Sequence, residues 1–307
     1  MIAVKKFYGR GKLLLTAEYA VIDGAKAIAL PCKKGQSLEV KPLRGSDLVW
    51  ESFDENGDLW FETQISLYDF KPIRTSDDDV SHFLHKLLRG AVRLNSEFLN
   101  NWNGFRINTF LEFSRDWGLG SSSSLIYAVS EWADVNPFLL YYEIANGSAF
   151  DVACAFVDGP ITYIKTDDEI SYSEIDLDLP FKDSLFLVHR GKKQNTEAAI
   201  NYYRKTVSES DKLVRSISDI TDAIIECQDK STFEKLIKNH EEIISAAIGI
   251  PTVQKDRFSD FNGTIKSLGA WGGDFMLVVS DDPLEKVRKY FVAKGLTIVL
   301  PYNDLVL

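Results

Sequence analysis

The chain has 307 residues, 45% hydrophobic and 26% charged, with 45 acidic against 35 basic side chains and a formal net charge of -10. That is the make-up of an ordinary globular protein with a core and room for two domains. The acidic balance argues against sequence-independent nucleic-acid binding, which needs many Lys and Arg contacts to phosphate, but leaves room for a small anionic ligand.

Three scattered cysteines, Cys32, Cys154 and Cys227, include no C-x-x-C, so neither a disulfide framework nor a structural zinc site is expected. The opening "MIAVKKFYGRGKLLL" lacks the apolar core and cleavage site of a signal peptide. No stretch approaches the length of a membrane span. A cytoplasmic protein with no membrane or nucleic-acid partner is expected.

In chain order, "KLLLTAEYAVI" is apolar and β-prone, and "SLEVKPL" follows it. "LVWESFDENGDLWFETQI" predicts two alternating strands around Asn56-Gly57, a strong hairpin signal. Phe83, Leu84, Leu87, Leu88, Ala91 and Val92 recur at helical spacing. "GFRINTFLEF" returns to strand, a helix carrying Leu125, Ile126, Val129, Trp132 and Ala133 follows, and "PITYIK" reads as strand. The acidic "TDDEISYSEIDLDLP" looks irregular, and the texture changes near Pro180. "SLFLVH" then opens a second half with two striped helices, through Leu213, Val214, Ile217, Ile220 and Ile224, and through Phe233, Leu236, Ile237, Ile243 and Ile244. The end, from "GDFMLVV", reads strand, helix, strand. This mixed order predicts two α+β domains, residues 1–179 and 180–307.

The stretch "DWGLGSSSSLIYAV", Asp116 to Val129, sets two glycines and four serines directly before an apolar helical run. The first N–H groups of a helix lack partners within it, and the helix dipole makes that end partly positive. A phosphate there can accept several N–H bonds at once. Glycine lets the backbone come close, and a serine hydroxyl can bind a phosphate oxygen or Mg²⁺. Gly118, Gly120, Ser121, Ser122, Ser123 and Ser124 therefore suit a triphosphate cradle. It is not a P-loop, which requires a lysine absent here. Taken alone, a flexible turn with a serine N-cap explains the stretch as well.

Two further segments flank it: "GRGKLLLTAEYAVIDGAKAIALP" from Gly9 to Pro31 and "GSAFDVACAFVDG" from Gly147 to Gly159. Together, in this order, the three resemble the GHMP kinase superfamily, small-molecule kinases that include galactokinase, homoserine kinase, mevalonate kinase and phosphomevalonate kinase. The first is similar to the family's "PGKLLLFGEYAVLDG" signature and the serine stretch to its "GLGSSA" loop. The third is similar to the "GSGFDVAAA" pattern of mevalonate-pathway members. "LGAWGGDFMLVV" resembles the glycine-rich third motif, "GAGGGG", and "HRGKKQNT" resembles a G-K-x-x-S/T stretch of the same relatives. The resemblance runs from about Gly9 to Val279.

It implies an ATP- and Mg²⁺-dependent kinase with a ribosomal-protein-like first domain, a ferredoxin-like second domain and an active site in the cleft between them. The γ-phosphoryl group would pass to a hydroxyl or phosphate of a small-molecule substrate, mevalonate or phosphomevalonate, on a monomer or homodimer. Position by position, Asp151 falls on the catalytic base for the acceptor hydroxyl. Lys12 falls on the cation that helps as charge develops there. Ser122 matches the serine that faces the metal and the terminal phosphates. Glu18, Tyr19 and Ser148 fall on substrate-binding positions, although Glu18 and Tyr19 could instead support Lys12. Lys192, Lys193 and Thr196 could reach an anionic substrate, though the start of a surface helix explains "GKKQNTE" nearly as well. Glu143 lies near the place of a metal-binding glutamate but at a spacing that does not match, so it is not assigned to the metal.

The departures from the pattern are specific. Arg10 stands where the family has proline, Ala17 and Ala149 where it has glycine, and Trp271 and Asp274 interrupt the glycine run. Alanine is costly wherever glycine served a positive φ. An aspartate near phosphates repels them unless it faces away or meets the metal. These changes keep two other readings open: an ATP-dependent diphosphomevalonate decarboxylase of the same superfamily, and a catalytically silent regulator that binds ATP or a metabolite. His82, His85, His189 and His240 complete no metal set, and structural or surface roles are expected for them.

Overall fold

The computed structural model describes residues 4–101, 103–167, 169–191, 196–207, 210–269, 271 and 273–307, without the side chains of 196 and 197. Lys192, Lys193 and the side chain of Thr196 lie outside that description. The structure is mixed α and β. Strands β1 (Lys5–Leu14), β2 (Ala27–Leu43), β3 (Asp47–Phe53), β4 (Leu59–Ser66) and β5 (Pro72–Thr75) precede helix α1 (Asp78–Leu94). Then come β6 (Gly104–Leu111), α2 (Ser121–Ala133), α3 (Pro137–Ile144), α4 (Phe150–Cys154), β7 (Ile161–Lys165) and β8 (Ile170–Glu174). The remainder is β9 (Leu185–His189), α5 (Thr196–Thr206), α6 (Ser210–Ile225), α7 (Lys230–Ile248) and α8 (Val253–Arg257). The last elements are β10 (Thr264–Leu268), β11 (Phe275–Val279), α9 (Leu284–Ala293), β12 (Val299–Pro301) and α10 (Tyr302–Leu305).

Contacts divide the chain into two compact units, each discontinuous in sequence. One is Met1–Gly11, Lys34–Arg115 and Gly120–Phe156; the other is Lys12–Lys33, Asp116–Leu119 and Val157–Leu307. Pro180 lies inside the second. Strands β1 and β2 each give one end to each unit.

In the first unit the strand order is β5-β4-β3-β6-β2, with β3 and β6 parallel and the other pairs antiparallel. Strand β3 alternates buried and half-buried residues, as a sheet with one covered face requires. Asp54 organises the turn to β4 by accepting from the N–H groups of Asn56 and Asp58. Helix α1 starts at Asp77, whose carboxylate accepts from the N–H groups of Asp79 and Val80. Its stripe of Leu84, Leu87, Leu88 and Ala91 packs in one core with Leu125, Ile126 and Val129 of α2 and with Leu38, Trp50 and Ile107 of the sheet. Each fully buried leucine, isoleucine or valine here contributes about 1.5–3 kcal/mol. Gly9 of β1 touches the start of α2 so closely that a Cβ there would lie 2.5 Å from the carbonyl oxygen of Ser124.

In the second unit, β10-β11-β9-β12 form an antiparallel sheet. Strands β9, β10 and β11 are buried along their whole length, which requires cover on both faces. Phe186, Val188, Ile265, Met276 and Val278 share a core with Val253 of α8 and with Val287 and Phe291 of α9. Helix α7 packs on β10 and against α6. Strand β8, in the stretch that looked irregular, pairs antiparallel with β7. Its residues are mostly exposed, so no apolar alternation marks it.

Candidate active site

The first unit holds the serine stretch and Asp151. Helix α2 starts after Gly120, which takes φ 85° and ψ 41° and offers no side-chain cap. The N–H of Ser124 bonds the carbonyl of Gly120 at 3.0 Å. The N–H groups of Ser121, Ser122 and Ser123 therefore have no partner within the helix. Ser121 is half-buried, Ser122 is exposed, and Ser123 and Ser124 are buried. The Ser124 hydroxyl lies 3.1 Å from Oε1 of Gln36 and 3.0 Å from the Ser121 carbonyl, which fixes the first turn from inside.

The Ser123 hydroxyl donates to Oδ2 of Asp151, and Oδ1 of Asp151 accepts from the Val152 N–H at 3.2 Å. Asp151 stands in the first turn of α4, after Ala149 at φ 62°. Ser148 is buried in the turn just before it. The hydroxyls of Tyr141 and Tyr142 are pushed up in pKa by burial first and by the charge of Asp151 second. The structure thus brings the serine stretch and Asp151 together. Glu143 pairs with Arg93, 2.6 Å from its Nε.

The second unit holds Lys12 and the loop ahead of α2. The Lys12 N–H donates to the Leu119 carbonyl and its Nζ to the Gly118 carbonyl, both at 2.9 Å. Gly118 takes φ 65°, and the Asp274 carboxylate fills the space that a Cβ at residue 118 would need. Asp274 therefore faces Gly118. The same loop is held by ring contacts of Trp117 with His189 and Phe275, and His189 Nε2 lies 3.0 Å from the Asp116 carbonyl.

Glu18 is buried and pairs with Lys266 of β10, whose Nζ also donates to the Ser267 carbonyl at 2.9 Å. Burial pushes the Glu18 carboxyl up to about 7, against the pull of Lys266. The Ala17 N–H donates to Nε2 of His240 at 2.9 Å, so that nitrogen carries the lone pair and the ring proton sits on Nδ1. Nε2 lies 3.3 Å from Oε2 of Glu18, yet the contact is no ion pair, because burial and then the Lys266 charge hold the His240 pKa well below its usual value. Glu241 accepts from the Ser267 N–H at 2.6 Å, and its carboxyl is raised by burial. The Tyr19 hydroxyl accepts from the Trp271 N–H at 2.6 Å, and its ring stacks on Tyr203 at 5.4 Å.

Lys266, His240 and Glu241 were not singled out as site residues in the sequence. Lys266 lies in "TIKSL", whose polar residues hide its burial, so no local pattern marks it. Ala17 and Ala149 hold φ of 66° and 62°, so the left-handed backbone that glycine would favour is kept without glycine.

No family model matches the chain. It is 24% identical over 297 residues to the mevalonate kinase of Methanocaldococcus jannaschii, covering 90% of this chain and 91% of that protein. The crystal structure of the Methanococcus jannaschii mevalonate kinase superposes with a TM-score of 0.70 at 18% identity, covering 98% of this chain and 97% of that one. A Streptococcus pneumoniae phosphomevalonate kinase, in complex with phosphomevalonate and AMPPNP, gives a TM-score of 0.68 at 17% identity over 96% and 97% of the two chains. A mevalonate diphosphate decarboxylase from Staphylococcus aureus gives 0.61 at 12% identity over 100% and 95%. Likeness over nearly the whole length shows that the chain has the fold of the GHMP kinases, the superfamily its motifs resemble.

Proposed function

We propose that the chain is an ATP-dependent small-molecule kinase that phosphorylates a hydroxyl or phosphate of mevalonate or phosphomevalonate. The observation that carries this reading is the hydrogen bond from Ser123 to Asp151. It ties the candidate base to the helix whose open first turn would receive phosphates, so one element sets both. Phosphoryl transfer is catalysed mostly by such positioning and by charge stabilisation.

With Oδ2 engaged by Ser123, Oδ1 is the oxygen that would accept the proton of the acceptor hydroxyl. An ordinary carboxylate is a poor base for an alcohol, so a cation must help as negative charge develops. The family pattern gives that task to Lys12, whose Nζ is held at the Gly118 carbonyl. ATP, when bound, supplies the phosphoryl group, held by the N–H groups of Ser121, Ser122 and Ser123.

Among the described residues no group of three or more His, Cys, Asp or Glu could hold a metal ion. Mg²⁺ commonly keeps several waters and binds few protein ligands beside substrate phosphates, which fits the exposed Ser122 hydroxyl as its contact. By the same pattern Tyr19 and Ser148 fall on acceptor-binding positions. The lean toward mevalonate or phosphomevalonate is supported by the likeness to those two kinases, and fold alone does not choose a substrate. No helix among the described residues is long and apolar enough to cross a membrane. Work in the cytoplasm, as monomer or homodimer, completes the proposal.

The test is to incubate the protein with Mg·ATP and, separately, mevalonate, phosphomevalonate, diphosphomevalonate, galactose and homoserine, following ADP and product mass together. A phosphorylated product from mevalonate or phosphomevalonate is expected. Loss of CO₂ from diphosphomevalonate would move the assignment to a decarboxylase. Nucleotide binding without turnover of any acceptor would move it to a silent regulator.

A further inference from the structure

The segment Ala17-Glu18-Tyr19 is strained twice, at Ala17 (φ 66°) and Tyr19 (φ 61°). A left-handed conformation is unfavourable for a residue with a side chain. It persists only where the surroundings over-determine it. Here the surroundings grip all three residues: His240 accepts from the Ala17 N–H, Lys266 pairs with Glu18, and Tyr203 stacks on Tyr19. The grip comes from inside the unit, since Glu18, Lys266 and His240 are all at most 1% exposed.

An ion pair this deep is a weak source of stability, because desolvation of the two charges can exceed their attraction. Apolar side chains of the same size would hold the core as well. What they would not do is fix the direction of the turn. Lys266 also sits on β10, the strand that runs into the glycine-rich stretch from Gly269. The gripped turn also reaches this stretch, where the Tyr19 hydroxyl accepts the Trp271 N–H.

We infer that Lys266 is a positioning residue: paired with Glu18 and aided by neutral His240, it holds the strained Ala17–Tyr19 turn so that Tyr19 anchors the glycine-rich loop at Trp271. Lys266 itself touches no ligand in this scheme; it acts through Tyr19. That this loop serves an acceptor rests on the proposed kinase function, whereas the link from Lys266 to Trp271 does not.

The test reads hydrogen exchange of individual amides in the full chain without nucleotide or acceptor. The first variant is Glu18→Gln/Lys266→Met, which removes both charges and leaves neither buried alone. The Trp271 and Ala17 amides are expected to exchange faster by about tenfold or more, while amides of α7 and β6 stay within about twofold. A uniform rise across α7 and β6 would mark a merely structural role and overturn the inference, as would wild-type protection at Trp271 in the folded variant. Should that variant not fold, Tyr19→Phe keeps the ring and removes only the acceptor oxygen. It is expected to expose the Trp271 amide while Ala17 stays protected, and wild-type protection there overturns the anchor. Lys266→Arg, which keeps the charge, is expected to leave both amides protected, and loss of protection in it would contradict a role for the charge. Where an acceptor is turned over, Glu18→Gln/Lys266→Met raises its KM more than it lowers kcat. Absence of any turnover would count against the kinase reading alone, because the exchange result stands without it.

Discussion

The hydroxyl of Ser123 donates to Oδ2 of Asp151, joining the first turn of one helix to the first turn of another. Ser123→Ala keeps the N–H groups of α2 and removes only this orienting bond. A small loss of alignment at a reacting group is costly, so kcat is expected to fall by about 10–100-fold. The KM for ATP is expected to change by less than about threefold, because the backbone cradle is untouched. Steady-state kinetics separates the two. A raised KM for ATP with kcat intact would assign the hydroxyl to nucleotide binding instead.

Asp274 packs its carboxylate against Gly118, beside the carbonyl that holds Lys12. A carboxylate so placed repels bare phosphates and tolerates them once a metal has neutralised their charge. Asp274→Asn is therefore expected to bind AMPPNP about five- to tenfold more tightly than wild type when Mg²⁺ is absent. With saturating Mg²⁺ the gap narrows. Calorimetric titration with and without Mg²⁺ checks this, and equal affinities in its absence would place the Asp274 charge outside the nucleotide site.

Ala149 is buried at φ 62°, whereas Ala155, equally buried, has φ −68°. Replacing a buried alanine by glycine loses about 0.8 kcal/mol of methyl burial. It also costs about 0.4–1 kcal/mol through the freer unfolded chain. At Ala149 relief of left-handed strain, about 1–2 kcal/mol, offsets both. Urea unfolding is expected to show Ala149→Gly within about 0.5 kcal/mol of wild type and Ala155→Gly destabilised by about 1–2 kcal/mol. Equal losses at the two sites would deny the strain at Ala149.

Glu18 carries a carboxyl raised to about 7 from its ordinary 4.5. The folded chain thus holds this proton more tightly than the unfolded one. The stability it lends is complete below about pH 4.5 and is lost as pH rises through about 7. Glu18→Gln lacks that loss, while Glu241, raised by burial, keeps the opposing pull of Lys266 and titrates in both proteins. The melting temperature of Glu18→Gln relative to wild type is expected to climb as pH rises from 4.5 to 7.5. A flat difference over that range would show that Glu18 is ionised throughout.

Long periodic elements were legible in the sequence. The stripes of α1, α6 and α7 and the Asn56-Gly57 hairpin follow from local pattern alone. Helix α4 was not, because five residues are too few to show a period. Strand β10 was hidden for another reason: Thr264, Lys266 and Ser267 are polar yet buried, so "TIKSL" does not look like a core strand. At the site, the serine stretch could be read from small residues ahead of a helix, while Asp151 had meaning only beside the family pattern. The partnership of Glu18 with Lys266, 248 residues apart, has no local signal, since only the fold brings those positions together.

Single-turnover phosphoryl transfer from γ-labelled ATP, in wild type and Asp151→Asn with nucleotide affinity measured alongside, tests the kinase reading most directly. The expected result is nucleotide affinity within about threefold of wild type and a transfer step slower by about 10²–10⁴-fold, the usual contribution of a positioned base. Transfer at the wild-type rate in Asp151→Asn would contradict Asp151 as the base and, with it, the role given to its bond from Ser123.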